Sequence, residues 1–220
     1  MIKVNRVKTY GFESAVHGMR SPYNSWDKSD SRWVLDDMGY EHYRIGQKDL
    51  ELMRRLFKAG TEHRKFMRQI FVSMDLTAPL YWYKQFDTYR IGVTANSCST
   101  MHTIMAHEFT EKDFSCDAVC PEEMGCILMM LNHRRNAYLC EHDPELKRSI
   151  WRGLIQLLPE GYNQTRTVTM NYEVAATICR QRSGHKLGEW HDLIRTLKLE
   201  LPYLEEIMDG PEGSAEGSDA

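Results

Sequence analysis

No apolar run in this 220-residue chain approaches the ~18 residues that a membrane helix needs. The opening stretch from Met1 to Arg6 is too polar to begin a signal peptide, so a cytoplasmic protein with no membrane partner is expected. Positive charge is not in excess either. Lys and Arg number 28 against 31 Asp and Glu, a formal charge of -3, which argues against a broad nucleic-acid-binding face. The six cysteines, at positions 98, 116, 120, 126, 140 and 179, lack the paired C-x2-C spacing of a zinc site. Cys116, Cys120 and Cys126, followed by His133, Cys140 and His142, are closer to a zinc pattern than anything else in the chain. Cys126, however, lies within the apolar run Met124 to Leu131. Reduced thiols and no metal are the expectation. No internal repeat is present.

What remains is ordinary for a globular protein, with 42% hydrophobic and 27% charged residues. The length suits one domain that buries roughly 70% of its unfolded surface. Residues 1 to 47 mix aromatics with charges at a spacing that fits neither helix nor strand, and read as loops and short strands. Leu50, Met53, Leu56 and Phe57 recur at helical spacing, and Gly60 stops that helix. Met67 to Leu76 reads as a strand, and Pro79 opens a helix carrying Tyr81, Trp82, Gln85 and Phe86. Further helices are expected from Pro121 through Met130, from Glu145 to Leu158, from about Val168 to Arg182, and from Leu187 to Lys198. Helices predominate over a smaller sheet, an α+β domain over 1–208. The acidic remainder, 209–220, is expected to be disordered.

One stretch carries a specific order. Glu62-His63 is followed by fourteen residues, Ala78-Pro79, five residues, Gln85, two residues and Thr88-Tyr89-Arg90. Five more lead to Asn96-Ser97-Cys98-Ser99-Thr100-Met101-His102. A second block follows in Leu158-Pro159, Asn171-Tyr172-Glu173, Arg182 and His185. This order and spacing resembles the flavin-dependent thymidylate synthases, with their signature R-H-R-x-x-S-x-N-E-x-S-x-R-Y and a later L-P, an N-x-R helix start and an L-R followed closely by His. The two blocks, from Glu62 to His185, span 124 of the 220 residues.

The resemblance implies several helices packed on a mostly antiparallel sheet, FAD as cofactor, and a homotetramer with active sites assembled across subunits. It implies reductive methylation of a pyrimidine nucleotide at C5 (dUMP to dTMP), with methylenetetrahydrofolate supplying the carbon and NADPH the electrons. Carried over by position, Ser99 and Arg182 would be catalytic. His63, Thr88, Tyr89, Arg90, Asn96, Asn171, Thr177 and His185 would lie at the flavin, and Gln85, Ser97, Ser99 and Arg182 at the nucleotide. Hydride from the reduced flavin does the reductive work, so Cys98 beside Ser99 is not required as a nucleophile.

Three cationic positions of the family are neutral here, at Thr88, Met101 and Gln156, and Glu173 stands where N-x-R has its Arg. A charge-assisted bond is worth ~1.5–3 kcal/mol, so uncompensated loss of three would weaken nucleotide binding by orders of magnitude. Two resolutions are open: Lys65, Arg68, Lys84 or Arg166 takes over the phosphate, or the substrate is not free dUMP. The alternatives to dUMP methylation are a flavin enzyme acting on another nucleotide or base, and a non-catalytic nucleotide-binding scaffold.

Overall fold

The computed structural model describes residues 2–210. Six strands and nine α-helices alternate along them: β1 (Lys3–Tyr10), α1 (Phe12–Arg20), β2 (Arg32–Leu35), β3 (Glu41–Arg44), α2 (Gln47–Lys58), β4 (Phe71–Pro79), α3 (Leu80–Phe86), β5 (Val93–Ser97), α4 (Thr100–Thr103), α5 (Pro121–Cys140), α6 (Pro144–Leu157), β6 (Asn163–Asn171), α7 (Tyr172–Gln181), α8 (Gly188–Glu200) and α9 (Leu204–Asp209). Short 3-10 turns add Ser21–Tyr23, Trp26–Lys28, Arg64–Gln69 and Glu111–Asp113. Four strands form one sheet in the order β1-β4-β6-β5, and β2 and β3 form a separate antiparallel hairpin. The class is α+β, helices with antiparallel sheet, as the sequence predicts.

Four expected segments are corrected. The first 47 residues hold a long strand and the amphipathic helix α1, whose Ala15, Val16 and Met19 are buried at helical spacing. The helix expected from Val168 begins only at Tyr172. Up to Asn171 the chain is strand β6, where Val168 and Met170 are buried while Thr167 and Thr169 are exposed. That two-residue alternation, with four β-branched residues from Thr165 to Thr169, is a strand pattern. Asn171 marks the change, its side-chain oxygen accepting the Val174 N–H at 3.0 Å as an N-cap. The helix expected to end at Met130 runs on to Cys140. Of the expected tail, Asp209 closes α9, and the part beyond Gly210 lies outside the described residues. Among the described residues no helix is long and apolar enough to cross a membrane, and no group of His, Cys, Asp and Glu could hold a metal ion.

The chain divides into two compact units. The first contains residues 2–5, Asp75–Arg90 and Ala95–Thr167. One of its cores collects Ile104, Phe109, Phe114, Met124, Leu131, Leu154 and Tyr162. In another part of it Trp82 stacks on Phe86 at 5.0 Å, and the Tyr83 hydroxyl donates to the Leu76 carbonyl at 2.6 Å. Burial pushes that phenol well above its ordinary value.

The second unit contains Arg6–Met74, Ile91–Thr94 and 168–210. Its core includes Val16, Met53, Ile70, Val72, Tyr172, Ile178, Trp190 and Leu204. A buried ion pair ties its parts together. Arg20 Nε donates to Asp49 at 2.6 Å, and the same carboxylate accepts from the hydroxyls of Ser29 and Ser31 and from the N–H groups of Asp30 and Ser31. Burial alone would raise the Asp49 pKa. The hydrogen bonds from Ser29, Ser31 and Arg20 outweigh it and hold the carboxyl below its ordinary value.

Candidate functional site

In the first unit, the end of α3 positions Gln85, Thr88, Tyr89 and Arg90. Pro79 precedes the helix, whose first N–H groups, on Leu80 and Tyr81, donate to the carbonyls of Tyr162 and Glu160 at 3.0 Å. At the other end Asp87 N–H bonds to Tyr83, Thr88 to Gln85, and Tyr89 to Phe86, so the Thr88-Tyr89-Arg90 triplet unwinds from the last turn. The Thr88 hydroxyl donates to the Gln85 carbonyl at 2.7 Å and closes the helix end. Tyr89 leans on Phe86, ring centroids 6.4 Å apart. Arg90 is exposed and, among the described residues, has no ion-pair partner.

Asn96 and Ser97 close strand β5, both exposed. The next residue is fixed from two directions: Cys98 N–H donates to the Thr165 carbonyl at 2.8 Å, and its own carbonyl accepts from Gln164 Nε2 at 3.1 Å. Gln164 also reaches the Thr100 hydroxyl, so the turn carrying Ser99 is held on both sides. Ser99 sits at the N-cap of α4, where its carbonyl accepts from His102, Thr103 N–H and the Thr103 hydroxyl. Its side chain makes no cap bond and has no partner among the described residues. This segment presents a hydroxyl held in place and uncommitted.

In the second unit the other expected residues lie along α7 and just beyond it. Asn171 caps the helix, and a Cβ on Gly92 (φ +80°) would lie 2.8 Å from Asn171 Nδ2, so only glycine fits at 92. The Thr177 hydroxyl is engaged by its own helix, donating to the Glu173 carbonyl at 2.7 Å. Arg182 and His185 do come together, on a residue that sequence reading missed. The Arg182 guanidinium lies 4.7 Å over the Trp190 ring, and His185 meets the same indole edge-on at 6.0 Å. His185 Nδ1 accepts the Leu187 N–H at 3.1 Å, which leaves Nε2 as the ring's donor. A His-x4-Trp spacing across a helix start is the only signal in the sequence that could have pointed to Trp190. His63 stands exposed ahead of the Arg64–Gln69 turn, outside this pair.

The cations that sequence reading offers as replacements are already engaged. Arg68 donates to Glu173 at 2.5 and 3.3 Å, Lys65 pairs with Glu62 at 3.5 Å, and Lys84 with Glu160 at 2.7 Å. Arg166 pairs with Asp87 at 2.7 Å, bonds Gln164 at 2.9 Å and covers the Tyr83 ring at 3.7 Å. Glu173, the reversed charge of the second block, also faces Arg64 at 3.6 Å. Its carboxylate is neutralised by protein, not left facing a ligand.

No protein-family model matches the chain, and no curated protein matches it in sequence. Solved structures do. A thymidylate synthase X from Helicobacter pylori, crystallised with FAD and dUMP, superposes with a TM-score of 0.71 at 16% identity, over 94% of this chain and 97% of that one. A second structure of the Helicobacter pylori enzyme, described as a flavin-dependent thymidylate synthase complexed with FAD and dUMP, gives 0.70 at 17% identity with the same coverage. The chain has the thymidylate synthase X fold. At this identity the likeness concerns the fold alone.

Proposed function

We propose that this protein is a flavin-dependent enzyme acting on a pyrimidine nucleotide by reductive methylation at C5, a divergent relative of the flavin-dependent thymidylate synthases. The observation that carries the reading is the Ser99 hydroxyl, fixed by its turn yet uncommitted, in a fold whose Helicobacter pylori examples hold FAD and dUMP. The residues fit a flavin nucleotide. Arg90, in the first unit, is a cation without an acidic partner, suited to a phosphate, and His185 Nε2 and the Asn171 amide, in the second, are donors of the kind a flavin nucleotide uses. FAD, when bound, would supply hydride for completing the methyl group, with NADPH as reductant and methylenetetrahydrofolate as carbon source.

The chain's own residues would then divide the work. Arg182, stacked on Trp190 and so restrained in plane, would hold the pyrimidine oxygens. Ser99 would hydrogen-bond the base and Gln85 and Ser97 would position the nucleotide. His63, Thr88, Tyr89, Asn96 and Thr177 would line the flavin side, with Thr88 and Thr177 contributing surface because their hydroxyls are engaged. Residues from both blocks are needed, which favours the homotetrameric assembly that the resemblance implies. The test is a flavin spectrum on adding FAD to purified protein, followed by conversion of dUMP with methylenetetrahydrofolate and NADPH. Protein that stays colourless removes the cofactor.

A second reading keeps the flavin and changes the substrate. It is favoured by the ion pairs that occupy Lys65, Arg68, Lys84 and Arg166, because none of them is left to replace the three missing phosphate-binding cations. Turnover of deoxyuridine or of another pyrimidine in preference to dUMP would select it, and a normal dUMP rate would defeat it.

A further inference from the structure

The second unit holds a groove of about 1150 Å³ in which His63 is the one lining residue that the proposed chemistry uses. None of Asn171, Thr177, Arg182 and His185 lines it. Its floor is apolar, built from Met19 of α1, Leu52 and Leu56 of α2, and Phe66. Its rim is cationic. Lys28 and Arg55 face it, both exposed, and neither has a side-chain partner among the described residues. The remaining rim charges cancel, since Lys65 pairs with Glu62 at 3.5 Å, and His63 adds a further nitrogen donor.

The walls are fixed in advance. The loop from Arg20 to Lys28 is pinned by the buried Arg20–Asp49 pair and by an Arg20 bond to the Ser25 carbonyl at 3.3 Å. Trp26 adds to this by bonding the His17 carbonyl at 3.2 Å and stacking on the His17 ring. Gly18 lets Gln69 close the inner end, since a Cβ there would stand 2.5 Å from its side-chain oxygen. A preformed concave site with an apolar floor and unpaired cations on its rim loses little entropy on binding and favours one kind of ligand.

We propose that this groove binds an amphiphilic anion, a small molecule with a planar or aliphatic apolar body and one acidic head that Arg55 and Lys28 hold. The proposal rests on Arg55, Lys28 and the apolar floor, and shares only His63 with the flavin reading. It is tested on the full chain with 8-anilinonaphthalene-1-sulfonate, an aromatic anion whose fluorescence rises on binding, beside its neutral analogue N-phenyl-1-naphthylamine. Saturable binding of the sulfonate is expected. It should weaken ~10-fold in Arg55→Glu, recover in Arg55→Lys and fall in Leu56→Trp, while the neutral probe is little affected by Arg55→Glu. Arg55 is exposed, so that variant should fold, and circular dichroism checks it. Displacement of the probe by decanoate supports an aliphatic ligand and displacement by 2-naphthoate a planar one. Three results would overturn the proposal: a sulfonate signal indifferent to Arg55→Glu and Leu56→Trp, no displacement by either acid, or displacement by stoichiometric FAD, which would make the groove part of a flavin site.

Discussion

The segment from α3 to α4 and the region around α7 treat their polar groups in opposite ways. Along α3 to α4, Arg90 and the Ser99 hydroxyl have no side-chain partner among the described residues, although the backbone beneath them is hydrogen-bonded closely. Around α7 the acidic charges are met internally: Glu173 by Arg64 and Arg68, and farther back in the same unit Asp49 by Arg20. The first arrangement keeps donors available to a ligand, and the second spends charge on rigidity. A polar residue at a family position is therefore not equally informative in the two places. What its neighbours have already claimed decides what it can still do.

The largest effect should come from the charge that is most deeply spent. Asp49→Asn leaves the Arg20 guanidinium, 6% exposed, without a counterion, and should lower stability by ~3–5 kcal/mol in denaturant unfolding. Because the native carboxyl is held below its ordinary value, its contribution is complete above the unfolded pKa of ~3.9 and fades as pH falls through the lower folded value. Acid unfolding should accordingly lose its steepest part in the variant. An unchanged profile would mean that the pair contributes little to stability.

Next in size is Arg182→Ala, expected to lower nucleotide affinity by ~10- to 100-fold with the melting temperature nearly unchanged. Arg180→Ala, on an exposed residue whose guanidinium lies 5.5 Å over Phe57, is the control and should do little. Equal small losses in both would remove Arg182 from the proposed nucleotide site.

A smaller effect, about 1 kcal/mol, is expected from Glu173→Gln, discounted because Arg68 is 47% exposed. The more telling readout is binding. Releasing Arg64 and Arg68 should strengthen retention on a phosphate matrix if Glu173 is what keeps those cations from ligands.

How far these contrasts could be read from the chain differs by kind. The helices carrying Met53 and Phe57, or Leu154, follow from three- and four-residue spacing, and the ordered motif points to the fold despite 16% identity to a solved structure that shares it. Strand β6 was hidden because Val168, Met170 and Tyr172 extend an apolar pattern into α7, and only the Asn171 cap separates the two periods. The pairing of Glu173 with Arg68 spans 105 positions, and no local pattern encodes it. Trp190 under Arg182 is similar, since a buried tryptophan in a helix reads as core. The identity of a candidate residue is legible; whether it is already bound to a neighbour is not.

The finest test sets two hydroxyls of the same stretch against each other. Thr88 donates to the Gln85 carbonyl at the end of α3, whereas Ser99 has no side-chain partner among the described residues. Removing the first strips one hydrogen bond from an exposed helix end, so Thr88→Ala should cost only ~0.5–1 kcal/mol of stability and leave turnover almost unaltered. Removing the second breaks no protein contact, so Ser99→Ala should melt with the parent protein and keep its flavin affinity, while kcat falls. Unfolding curves and steady-state kinetics on the two variants give four numbers, and the comparison requires them to cross: stability moves only for Thr88, turnover only for Ser99. If Ser99→Ala turns over normally while Thr88→Ala does not, the open hydroxyl is not part of the chemistry, and the assignment of Ser99 falls with it.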